Sequence, residues 1–61
     1  MNIDNYTDDE IIKELNEAKA NQAYYETQDK RFKSVKRELL WYNAIIKRDE
    51  FELKRRGVVY A

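Results

Sequence analysis

Glu26-Thr27-Gln28-Asp29-Lys30 is the stretch on which the fold of this 61-residue chain turns. On its N-terminal side Ile11, Leu15, Ala18, Gln22 and Tyr25 recur in alternating steps of four and three, the spacing of a heptad seam with a polar member at Gln22. On its C-terminal side Phe32, Val35, Leu39, Tyr42, Ile46 and Leu53 repeat the pattern, and Asp49 interrupts it. The two seams are out of phase. Continuing from Tyr25 leads through Asp29 and Phe32 to Lys36, whereas the second stripe runs through Val35 and Leu39. The register slips in the most polar part of the chain, where Thr27 or Asp29 can cap a new helix. This predicts an all-α helical hairpin with helices over about residues 8–26 and 30–56. The stretch holds neither Gly nor Pro, so one long bent helix in a coiled coil is the alternative.

Outward from this break, both ends carry helix signals. Thr7 is placed as an N-cap with Glu10 three residues later to close a capping box, and Tyr6 with Ile11 has the spacing of a hydrophobic staple. Asp8 and Asp9 add negative charge to the first turn, at the positive end of the helix dipole. At the far end Lys54, Arg55 and Arg56 fill the last turn, and Gly57, the only glycine, stands where a left-handed residue ends a helix. Val58, Val59 and Tyr60 form an apolar tail expected to fold back over that end. The other reading makes it a strand added to a partner's sheet.

A single domain spanning residues 1–61 is small, and a globule of this size buries only about 60% of its unfolded surface. Disulfides are impossible without Cys, and a structural metal is not expected without Cys or His. Self-association or a partner is the remaining source of stability. Catalysis by Cys or His is excluded for the same reason, and no cofactor is expected. The chain has no net charge, yet residues 1–29 carry eight acids and two bases while residues 30–61 carry ten bases and four acids. Such polarity favours antiparallel neighbours, within the chain or between two copies. The expected core is Ile11, Leu15, Ala18, Phe32, Val35, Leu39, Tyr42 and Ile46, in a homodimer forming an antiparallel four-helix bundle. The longest near-apolar run, Leu39 to Ile46, is too short for a membrane span. The acidic N-terminus lacks the pattern of a signal peptide, so a cytoplasmic protein with no membrane partner is expected.

The second helix is apolar on more than one side. Leu40, Trp41, Ala44, Ile45 and Phe51 project opposite the seam, where one short partner helix cannot reach. Trp41, Ile45 and Arg48 fall within about 60° of one another. With Tyr24 and Phe51 they are the expected protein-binding residues, because Trp, Tyr and Arg supply interface anchors. Lys36, Lys47 and Lys54 project within about 20°, flanked by Lys33, Arg37, Arg48 and Arg55, which makes a basic stripe suited to an acidic protein surface or to nucleic acid. The acids Asp4, Asp8, Asp9, Glu10, Glu14 and Glu17 match no calcium loop and read first as helix-start charges, then as a phosphate mimic.

The architecture expected from these patterns resembles the small plasmid- and phage-encoded helical hairpins that dimerise into four-helix bundles, some of which regulate RNA. No motif is shared with them, so the resemblance assigns no residue a role. The abundance of Asn, Ile, Lys and Tyr is similar to that of small early phage proteins. The expected function is a non-enzymatic interaction module of a phage or other mobile element that binds and inhibits a host protein. A small nucleic-acid-binding regulator is the alternative.

Overall fold

In the computed structural model, which describes residues 3–59, the chain is a helical hairpin. A 3-10 turn at Ile3–Asn5 leads into helix α1, Asp8–Glu26, and helix α2, Lys33–Arg56, returns antiparallel along it. The described residues contain no strand. The molecule measures 38 × 24 × 14 Å, so in its thinnest direction it is one helix thick, given a helix diameter of about 10–12 Å. A single layer of two helices leaves each helix with an uncovered outer face.

The N-terminal signals act as their spacing requires. Thr7 Oγ1 accepts from the Glu10 backbone N–H at 3.1 Å, and Glu10 Oε1 accepts from the Thr7 N–H at 2.9 Å. Donation from the Thr7 backbone N–H first, and then from its hydroxyl, holds the Glu10 carboxyl below its usual range. Tyr6 packs on the core cluster that contains Ile11, in keeping with the staple. At the other end Gly57 adopts φ 71°, its N–H donates to the Lys54 carbonyl, and the Val58 N–H donates to the Leu53 carbonyl, both at 3.0 Å. This is a Schellman stop, and Val58 packs on the core beside it. Val59 is exposed, and Tyr60 lies outside the described residues.

The turn differs from the sequence expectation. Thr27 closes α1 instead of opening α2: its N–H and hydroxyl both donate to the Tyr24 carbonyl. Asp29 does not cap a helix either. Its carboxylate accepts from the Arg31 backbone N–H at 2.9 Å and from the Arg31 guanidinium, a side-chain turn that replaces the missing glycine. The α2 helix therefore begins at Lys33, three residues later than expected, with Phe32 as an N-cap that offers no side-chain bond. Outside the helix, Phe32 leaves the stripe it was assigned to and is 62% exposed, so it is not a core residue.

The core consists of Ile11, Leu15 and Ala18 from α1 against Ile46 and Leu53 from α2, with Tyr42 and Ile45 packed on its edge. Val35 is buried nearer the turn and Leu39 is half-buried. Tyr25, half-buried, stacks on Tyr42 with ring centroids 5.8 Å apart and meets Tyr24 edge-to-face at 5.2 Å. The seam of α2 is not broken at Asp49. Its side chain is wholly buried between Ile46 and Leu53 in sequence.

Candidate interaction surface

Two sets of charged side chains separate on this hairpin. The first joins the helices. Arg56 donates to the carbonyls of Tyr6 and Ile3 at 2.7 and 3.1 Å and pairs with Asp8 at 2.9 Å. Glu52, nearly buried, accepts from Arg56 at 2.7 Å and from Arg55, which also reaches Asp4 at 3.4 Å. The two guanidinium groups hold the Glu52 carboxyl down at about 2. Further along, Arg48 bridges Glu14 on α1 and Asp49 on its own helix, and Lys19 approaches Glu50 at 3.6 Å. The acidic half and the basic half thus meet inside one chain.

The second set is what remains. Lys33, Lys36, Arg37, Lys47 and Lys54 are exposed on α2, and none pairs with a carboxylate among the described residues. Between them lie Leu40, 71% exposed, Ala44, and Phe51, 71% exposed, which project within about 40° of one another. Trp41, 62% exposed, borders this strip on the side of Arg37. A shallow hollow lined by Gln22, Glu26, Lys36, Leu39, Leu40 and Asn43 adjoins one end, and another, lined by Glu50, Phe51, Lys54, Val58 and Val59, adjoins the other. The arrangement is a cationic ridge with apolar anchors, able to bind an anionic surface and bury aromatic area at the same time.

Several sequence-level placements are revised by this geometry. Trp41, Ile45 and Arg48 do not form one outward patch: Ile45 packs on the core and Arg48, though still exposed, reaches across to pair with Glu14 on the first helix. The α2 face turned towards α1 is wider than the heptad stripe, because Ile45 and Glu52 take part in it. Arg55 leaves the basic stripe for Glu52 and Asp4. Tyr24 is exposed on α1, against Tyr25, while Trp41 and Phe51 stand outward as expected. Sequence reading passed over Arg56 and Glu52 as a clamp, although Glu52 with Arg55 and Arg56 has the three- and four-residue spacing of helical ion pairs. No group of three side chains able to hold a metal occurs among the described residues, and no described helix is long and apolar enough to cross a membrane.

Fold and surface define a two-helix hairpin with a cationic, aromatic outer face. Compared with protein families, curated proteins and solved structures, the chain matches none of them.

Proposed function

We propose that this chain is a non-enzymatic protein-interaction module, a small accessory factor of a phage or other mobile element that binds and inhibits a host protein through the outer face of α2. The observation that carries this reading is the division of its charges. Once the hairpin has made its internal ion pairs, five cations and the exposed Leu40, Trp41 and Phe51 are left on one helix face. Apolar side chains among cations suit a protein interface, where Trp and Phe supply buried area and the rim supplies orientation. The test is photo-crosslinking from Ala44, with a crosslinker on the outer face of α1 at Ala20 as control. Protein adducts specific to position 44 support the reading, and their absence removes it.

A nucleic-acid-binding regulator is the second reading, favoured by the same five unpaired cations. It requires retardation of mixed RNA or duplex DNA at about 50 mM salt, weakening steeply as salt rises. Self-association into an antiparallel four-helix bundle is a third way to cover the apolar strip. A dimer in sedimentation at micromolar concentration, lost in Phe51→Ala, would assign the face to a second copy.

A further inference from the structure

We infer that the segment received by this face is an acidic amphipathic helix, lying lengthwise along α2; the inference rests on the reading of the outer face as a protein-binding surface. The geometry is that of a helix rail. Leu40, Ala44 and Phe51 follow one another at steps of four and seven, so they form an apolar line along the helix axis. Lys36, Lys47 and Lys54 edge that line on one side, about 16 and 10 Å apart along the axis, and Arg37 and Trp41 edge it on the other. A second helix laid on this line inserts apolar residues beside Leu40 and Phe51 at the shallow hollows near each end. Its carboxylates would meet the lysines if spaced by about 11 and 7 residues, a heptad-like pattern.

Charge complementarity decides against other occupants. A second copy would have to present acids, but Asp4, Asp8 and Glu14 already pair with Arg55, Arg56 and Arg48 of their own chain. The outer face of α1 offers Asp9 and Glu17 with Lys13 between them, one net negative charge that matches the lysine row poorly. A bilayer surface calls for a broad apolar face, and α2 turns its broadest one towards α1. Nucleic acid would pair its phosphates with the cations and stack bases on Trp41 and Phe51, but it offers no aliphatic surface to Leu40 at one end of the line.

Trp41 is the only tryptophan and serves as the reporter. The full chain is titrated with a Trp-free synthetic helix of about 24 residues whose leucine stripe is flanked by glutamates, and with a counterpart carrying lysines instead. The expected result is a saturable blue shift with the glutamate helix and roughly tenfold weaker binding of the lysine helix. Lys47→Glu leaves four cations on the face and should narrow that preference without reversing it. Phe51→Ala, at an exposed position where circular dichroism should show unchanged helix, should weaken glutamate-helix binding roughly tenfold. Equal response to both helices overturns the inference, as does tighter binding to phosphatidylglycerol vesicles or to a single-stranded RNA. The Ala44 crosslinker separates the two levels. Protein adducts that the glutamate helix fails to displace leave the face a protein-binding surface and sink the acidic helix, whereas no protein adducts at all removes both.

Discussion

Asp49 places a carboxyl where a heptad core calls for an apolar side chain. It is wholly buried, its Oδ2 receives no hydrogen bond from any described residue, and the groups facing it are Glu14 from α1 and Arg48 on its own helix. Burial first, then the neighbouring Glu14 carboxylate, pushes its pKa up to about 6 against the partial opposition of Arg48. The folded state therefore holds this proton more tightly than the unfolded chain does. The resulting stability is complete below the ordinary value of 3.8 and is lost as pH rises through about 6. Glu52 works in the other direction: held down at about 2, it stabilises the fold above its ordinary 4.5, and that contribution disappears as pH falls towards 2. Thermal unfolding followed by circular dichroism should show greatest stability in the region of about pH 4 to 5, between those two losses. Asp49→Asn can still accept from Arg48 and can donate to Glu14. It should raise the midpoint at pH 7 and have little effect at pH 4. A variant that destabilises equally at both pH values would refute this account.

At the scale of the element, the two helices are stopped by different means, and single substitutions should separate them. Thr7→Ala removes the acceptor for the Glu10 N–H and should cost about 1 kcal/mol in urea unfolding, as for other N-caps. Gly57→Ala meets no neighbouring atom but must hold φ 71°, so its cost, about 1 kcal/mol, is backbone strain alone. Phe32 is the weak end, because an N-cap without a side-chain acceptor leaves the first N–H groups of α2 to solvent. Phe32→Ser should supply that acceptor and stabilise the hairpin by about 0.5–1 kcal/mol, since the aromatic ring it removes is largely exposed. An unchanged or lower urea midpoint in that variant would show that the ring matters more than the cap.

For the whole molecule, a chain this size has a total stability of only about 3–9 kcal/mol by the usual yield per residue. Leu53 is a wholly buried member of the core, and Leu53→Ala should remove about 2–5 kcal/mol, enough to leave much of the population unfolded. Trp41→Ala should do the opposite. It lies outside the core, so helix content and urea midpoint should hold while binding of the glutamate probe helix weakens. Loss of helix in Trp41→Ala would mean that the ring supports the hairpin.

Much of this architecture was legible from local chemistry. The capping box at Thr7, the glycine stop at Gly57 and the heptad residues Ile11, Leu15, Ala18 and Ile46 act over one to a few helical turns, and their positions in sequence are their positions in the fold. The outward stance of Trp41 and Phe51 followed from the same helical arithmetic. What depended on tertiary structure was which charges find each other. Arg48 and Lys47 are neighbours in sequence, but only Arg48 lies within reach of Glu14 once α1 is docked, and Arg55 and Arg56 find Asp4 and Asp8 about fifty residues away. The turn was also beyond local reading, because Asp29 bonds forward to Arg31 and displaces the helix start to Lys33. Periodicity determines which face of a helix is apolar. The angle and register at which two helices meet determine which cations are neutralised and which remain unpaired on the surface.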